Sequence, residues 1–278
     1  MTFKEWCISQ KDKVKQQFRQ IMGYNLNLEN PKTISEKLNW LKVYDSTFLK
    51  TFCSDKLKVR EYVKDKIGKD LFLQVLGVYD KFEQIDFSKL PKDYVIKCNH
   101  GSGMNIIVKD GRIDKADAKR KIDRWMQTDY LHLLEFHYKP IQKKIFIEQY
   151  AENLGKGSLT DYKFICFNGQ VKYLQVINGR FTNNLHFNYY TPDFIPMKDV
   201  SWNLHPARYD LIDNKPKSFD EMIKISNELC KEFKCVRVDF YEIEGKPYLS
   251  ELTFIPAGGF IKYKNKNTEF ELGKLLEL

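Results

Sequence analysis

Val236-Arg-Val-Asp-Phe-Tyr-Glu-Ile-Glu-Gly-Lys-Pro-Tyr-Leu-Ser-Glu-Leu-Thr-Phe-Ile-Pro-Ala-Gly-Gly259 reads as two strands joined at Glu244-Gly245-Lys246. Strand side chains alternate, so Val236, Val238 and Phe240 share one face of the first strand and Arg237, Asp239 and Tyr241 the other. On the second strand Leu249, Glu251 and Thr253 share a face. A three-residue connection with Gly245 left-handed puts Asp239 and Glu251 on the same side of the hairpin. A two-residue turn puts them on opposite sides, because a one-residue slip of register flips every side chain. Two carboxylates at cross-strand distance repel each other. A divalent cation resolves that repulsion, since Mg²⁺ takes one or two carboxylates and leaves its other positions to phosphate and water. Arg237 then serves the phosphate. The alternative is a solvated polar face on which Arg237 merely pairs the acids.

The chain around this hairpin has 278 residues, enough for one large domain or two modest ones. It is 42% hydrophobic and 14% aromatic, which supports a packed core and excludes a disordered chain. The net charge of +9 suits anionic partners such as nucleotides or acidic glycans. Lysines are spread along the chain, not gathered in one block, which argues against a nucleic-acid partner. Cys7, Cys53, Cys98, Cys166, Cys230 and Cys235 form no C-x-x-C pair, so a zinc site is not expected. The sequence shows no secretory leader and no apolar run of membrane-spanning length, and the reading is a cytoplasmic protein.

The first 70 residues carry helical periodicity. Phe3, Trp6, Cys7, Val14, Phe18, Ile21 and Met22 recur at helical spacing up to Gly23. Thr33-Ile-Ser-Glu36 is a capping box, and a third helix runs from Ser54 to Ile67. From Leu71 the period becomes that of strands: Leu71–Tyr79, Tyr94–Cys98, Ile106–Lys109 and Lys144–Tyr150, with a basic helix over Ala116–Met126. A polar bend at Glu152–Gly157 marks a subdomain junction. Beyond it, Asn168-Gly169 is the strongest hairpin signal in the chain, between strands Asp161–Phe167 and Val171–Ile177. Ser218-Phe-Asp-Glu221 reads as a second capping box opening a helix to Phe233. His186 and His205 have no spacing partner and read as ordinary surface or loop residues.

His100-Gly-Ser-Gly-Met-Asn105 follows a strand carrying Lys97. Glycines let backbone N–H groups approach phosphate oxygens, Ser102 adds a hydroxyl donor, and a strand lysine supplies a point charge. The loop is neither a Walker A motif nor a dinucleotide fingerprint.

Taken in order, a lysine strand, a glycine loop, a strand ending in Glu148-Gln149-Tyr150, and Arg-Val-Asp with Glu251 downstream resemble the ATP-grasp superfamily of carboxylate–amine ligases. Within it the likeness is to the TupA-like family, named for teichuronopeptide biosynthesis. The matching stretches are Asn30–Trp40, Ser54-Asp-Lys-Leu-Lys-Val-Arg-Glu-Tyr-Val63, Val95–Gly103, Asp161-Tyr-Lys-Phe164 with Phe167-Asn-Gly169, and Val236–Tyr241 through Glu251-Leu-Thr253. The resemblance implies an α+β, ATP-grasp fold whose two α+β subdomains grip ATP, preceded by a mostly helical N-terminal region. The expected division is 1–90 for the helical region with one strand, 91–155 for the subdomain with the lysine strand and glycine loop, and 156–278 for the subdomain with the metal-binding hairpin.

The resemblance further implies site roles. Lys97 holds phosphates, and His100, Gly101, Ser102 and Gly103 cover them. Glu148, Gln149 and Tyr150 read the adenine. Asp239 and Glu251 are the Mg²⁺ carboxylates, with Thr253 where many ATP-grasp enzymes have a metal-binding Asn. Arg237 steadies the transferred phosphoryl group, with Arg180 as a second catalytic candidate. Lys56, Asp161 and Lys163 are further nucleotide-binding candidates. The implied activity is ATP-dependent amide formation through an acyl phosphate, joining a uronic acid or related carboxylate of a surface polysaccharide or capsule to an amine. The implied partners are ATP, Mg²⁺, a small-molecule or glycan carboxylate and an amine, with peripheral contact to a lipid-linked glycan left open. A glycosyltransferase and a non-catalytic ATP-binding protein are the competing readings; the D-x-D motif common in the former is absent.

Overall fold

A computed structural model describes residues 1–151, 159–180, 182–211 and 213–278. The bend expected at Glu152–Gly157 lies outside the described residues. Five helices come first: α1 (Phe3–Ser9), α2 (Lys11–Met22), α3 (Ile34–Tyr44), α4 (Phe48–Ser54) and α5 (Val59–Ile67). The first periodic run is therefore two helices broken at Gln10, and Gly23 closes the second with φ 86°. Thr33 and Glu36 make the reciprocal capping box read from the sequence, an arrangement worth about 1 kcal/mol to α3.

A four-stranded antiparallel sheet follows, in the order β1 (Val75–Tyr79), β4 (Ile145–Gln149), β2 (Tyr94–Cys98), β3 (Asn105–Val108). Its edge strand β1 comes from the segment before residue 91. Ile96, Cys98, Ile145 and Ile147 point to one face, where α6 (Lys115–Gln127) covers them with Ala118 and Ile122. Val95 and Lys97 point to the other. Glu148, directly opposite Val95, joins them there.

The second sheet has five antiparallel strands in the order β7 (His186–Tyr190), β6 (Gln170–Asn178), β5 (Asp161–Phe167), β8 (Cys235–Ile243), β9 (Lys246–Thr253). Asn168-Gly169 makes the β5–β6 turn, with φ 50° and 81°. On the back of this sheet Phe164, Val236, Val238 and Phe240 pack against α5 and α7 (Phe219–Leu229) in the largest core. The terminal helix α8 (Lys266–Lys274) closes against α3. Six thiols are free and buried.

The hairpin of β8 and β9 departs from the simpler reading. Ile243 pairs with Lys246, so the turn has two residues, Glu244 (φ 52°) and Gly245 (φ 77°). Alone, that turn would set Asp239 opposite Ser250. A bulge between Asp239 and Phe240 leaves Ser250 over, and Asp239 pairs directly with Glu251. The even turn and the extra residue together put both carboxylates on the front face.

Two local readings are corrected. Ser218 caps nothing with its side chain; its backbone N–H and its hydroxyl both donate to Glu242, each at 2.7 Å. A strong carboxylate acceptor on the neighbouring strand displaces the local box. His186 is buried, not superficial: its ring meets Asp213 at 2.9 Å, and Asp213 also accepts from Asn188 (2.9 Å) and Tyr190 (2.8 Å). This knot ties the irregular segment before α7 onto β7.

One buried ring makes stability pH-dependent. His137 is 1% exposed and its Nε2 has no hydrogen-bond partner. Burial, helped by the nearby Lys50 and Lys42 ammonium groups, pushes its pKa from 6.5 down to about 3. A base with a depressed folded pKa leaves the unfolded chain holding more protons between those values. Stability is therefore lost as pH falls from 6.5 towards 3, by about 1.4 kcal/mol per pH unit for this one group. Replacing His137 by Phe should remove about one proton from the slope of unfolding free energy against pH between pH 6 and 4, measured by urea denaturation; an unaltered slope rules the ring out. At the β8–β9 turn, exposed Glu244 holds a left-handed conformation that Asn adopts more readily. Glu244→Asn should raise the melting temperature by about 1–3 °C, read by differential scanning calorimetry.

Candidate active site

The front faces of the two sheets enclose a cleft of about 400 Å³, within the range of small-ligand pockets. From the four-stranded sheet and its loop come Lys97, Ser102, Gly103, Glu148, Gln149 and Tyr150. From the five-stranded sheet come Asp161, Lys163, Arg180, Asp239 and Glu251, and Lys56 reaches in from the turn between α4 and α5.

Charge pairing across β5, β8 and β9 is dense. Asp239 is 1% exposed, yet both its oxygens are engaged. Arg237 grips them in a fork, Nε on Oδ1 and Nη2 on Oδ2, both at 2.6 Å. Lys163, its cross-strand neighbour on β5, donates to Oδ2 from the other side. The Arg237 Nη2 also reaches Glu251 and Thr253, each at 3.1 Å. Burial works against the Arg237 charge, but Asp239 and Glu251 outweigh it and raise its pKa. For Glu251 burial pushes upward, yet Lys56, Arg237 and Lys163 hold it down at about 2. Glu251 is thus ionised throughout the neutral range. Asp161 sits 3.6 Å from Lys163 and accepts from the Arg180 Nε, which completes a chain of alternating charge along the cleft floor.

On the opposite wall Lys97 donates to the Glu148 Oε2. Gly101 sits where a Cβ would come within 2.6 Å of the Tyr130 ring, so only glycine lets the loop lie this close. Its carbonyl accepts from the Lys56 Nζ at 2.7 Å, and Lys56 also stands 3.6 Å from Glu251. That one ammonium bridges the glycine loop and the β8–β9 hairpin. The His100 ring faces away, with Nε2 on the Trp125 carbonyl at 3.0 Å. Neither His100, Gly101, Arg237 nor Thr253 is among the cleft-lining residues. Arg237 and Thr253 stand at the end of the carboxylate pair, with Thr253 donating to Glu251 at 3.2 Å.

Among the described residues no group of three or more His, Cys, Asp and Glu side chains converges as a metal cage. The pair Asp239 and Glu251 fits Mg²⁺ nonetheless. Two hard carboxylates stand directly opposed, the donor type Mg²⁺ prefers, and Lys163, Arg237 and Lys56 now supply the positive charge that a metal ion would take over. Two is also the protein share Mg²⁺ takes where phosphates supply the rest.

Sequence reasoning gave no role to several residues here. Tyr241 and Ser250 line the cleft from the same hairpin, and Asn105 lies directly opposite Lys97 on β3. The alternation that singles out Asp239 also puts Tyr241 on its face, though with no role attached; Ser250 needs the bulge. Near the cleft, Lys42 and Glu135 form a buried charge couple contributed by α3 and by the segment before the Phe136–Tyr138 turn. Burial lowers the pKa of Lys42 and raises that of Glu135. No pattern in the sequence brings those two together.

Among solved structures the chain is similar to a D-alanine–D-alanine ligase from Bacillus anthracis complexed with ATP, at 18% identity and TM-score 0.41, covering 73% of this chain and 54% of that one. It is also similar to the D-alanine–D-alanine ligase from Helicobacter pylori, at 17% identity and TM-score 0.45 over 81% and 59%. The D-cycloserine synthetase DcsG follows at 13% identity and TM-score 0.42 over 81% and 70%. The chain spans little more than half the length of the two D-alanine–D-alanine ligases. No curated protein matches the sequence. The model of the TupA-like ATP-grasp family matches residues 36–277, which takes in both sheets and every cleft-lining residue, and the chain belongs to that family.

Proposed function

We propose that the protein is an ATP-dependent carboxylate–amine ligase, acting on a uronic acid or related carboxylate in surface polysaccharide synthesis. The observation that carries the reading is the shared cleft: Lys97 on one sheet faces Asp239 and Glu251 on the other, with Arg237 behind them. Residues 91–155 supply the phosphate grip and 156–278 the transfer face. Residues 1–90, a helical region that also lends edge strand β1 to the first sheet, reach both, through the Lys56 N–H on the Asn99 carbonyl and the Leu71 carbonyl under the Leu249 N–H.

In this mechanism Lys97 and the Ser102–Gly103 backbone bind the triphosphate, and Lys163 and Arg237 turn from the carboxylates towards the transferred phosphoryl group. When bound, Mg²⁺ supplies Lewis-acid charge to the phosphate oxygens, with Asp239 and Glu251 holding it. The substrate carboxylate oxygen attacks the γ-phosphorus as the bond to the ADP oxygen breaks. An amine nitrogen then attacks the acyl carbon, forming C–N as C–O breaks, and the departing phosphate takes up the proton that the amine gives up. The protein's part is positioning and neutralisation of charge, so no protein nucleophile is required. The buried thiols are accordingly spectators.

The assay is phosphate release from ATP in the presence of uronic acids and amino compounds, with the amide product identified by mass spectrometry. ATP binding without turnover under every pairing supports a non-catalytic nucleotide binder instead. Arg237→Ala should lower turnover about a hundredfold or more. Because it also leaves Asp239 buried without its fork, Arg237→Lys serves as the folded comparison; full turnover in the Lys variant removes the guanidinium from the mechanism. Asp239→Asn should weaken Mg-ATP binding in calorimetry while ATP affinity without Mg²⁺ changes less; equal loss under both conditions counts against a metal-holding role.

A further inference from the structure

The segment Ser54–Val63 places Lys56 in the cleft, but it also carries Arg60, to which the mechanism above gives no work. Arg60 lies on α5, outside both sheets, with its side chain 15% exposed. Its Nη2 donates to the Leu73 carbonyl at 2.7 Å and to the Glu148 Oε1 at 3.0 Å. Its guanidinium stacks over Phe72 with 4.8 Å to the ring centre, and Nη1 stands 3.7 Å from Asp70. Leu73 and Glu148 line the cleft and Arg60 does not.

Glu148 therefore holds two cations on its two oxygens. Lys97 takes Oε2 from the cleft side, and Arg60 takes Oε1 from behind. The two differ in freedom. Lys97 is a flexible ammonium, 26% exposed. Arg60 is fixed by stacking and by its carbonyl contact, and a planar fork loses little freedom in such a site. An anionic ligand entering the cleft would draw Lys97 away from Oε2. Glu148, 7% exposed, would then be a poorly hydrated carboxylate beside a polyanion unless a second cation stayed.

We propose that Arg60 is a positioning residue of the nucleotide pocket: it remains on Glu148 as the permanent counter-ion, which frees Lys97 to move to phosphate. The separate bond to the Leu73 carbonyl holds the guanidinium in place for this contact. This inference rests on the nucleotide reading of the cleft.

A double-mutant cycle tests it, with Mg-ATP affinity measured by calorimetry and folding by thermal melts. Wild-type protein should bind Mg-ATP; failure there overturns the nucleotide reading and this inference with it. Given wild-type binding, Arg60→Gln should weaken affinity about tenfold or more, and should raise the KM for ATP far more than it lowers kcat. In a Glu148→Gln background, where no carboxylate needs a partner, Arg60→Gln should change affinity by less than about twofold. Equal losses in both backgrounds mean that Arg60 acts only through general stability, and unchanged affinity means that it does not act at all. Either result overturns the proposal. Should Arg60→Gln fail to fold, Arg60→Lys keeps the charge but loses the fork. It should show an intermediate loss in the wild-type background and none in the Glu148→Gln background, and an equal loss in both is again fatal.

Discussion

The Asp239 carboxylate is the constraint around which the cleft is built. It is almost wholly removed from water, and an ionised carboxylate in that position is tolerated only with matched charges on it. Arg237 from its own strand and Lys163 from the neighbouring strand provide them, and each in turn touches another acid, Glu251 or Asp161. The network alternates in sign from Arg180 to Lys56. Such an arrangement is expensive as a stabilising device, since apolar residues would fill the same space at less cost. It occupies one face of a sheet whose other face is packed with Phe and Val.

How the chain delivers this network was legible in part. Alternation along β8 and β9 named Arg237, Asp239 and Glu251, and Asn168-Gly169 fixed the β5–β6 hairpin. What alternation left open was whether the acids share a side. The answer depended on two local events that offset each other, an even turn and a bulge at Ser250. Bulges follow from packing between strands, not from the identity of one residue, so a single sequence does not announce them. The Thr33 capping box was readable because both partners lie within one turn of helix. The Ser218 box was misread because its partner, Glu242, lies on another element.

The same distinction separates the rest of the site. Lys97 and the glycine loop are contiguous and stood out. Arg60 and Glu148 are 88 positions apart and meet only after α5 has docked beside the four-stranded sheet. His186 looked solitary because Asp213, its partner, comes from an irregular segment with no periodicity to read. Family resemblance bridged some of these distances by supplying an order of elements. It did not supply the ionic pairings, which belong to the folded chain.

The six cysteines, unpaired and enclosed, carry a consequence of their own. A thiolate reacts and a buried thiol does not, so alkylating reagents find no ready target on the native molecule. Labelling must wait for local opening, and Cys7, Cys98 and Cys166 lie in three different cores. The chain thus carries endogenous reporters in three packing units, four in the largest and one in each of the other two, whose modification rates record how often each unit breathes without any label being engineered in.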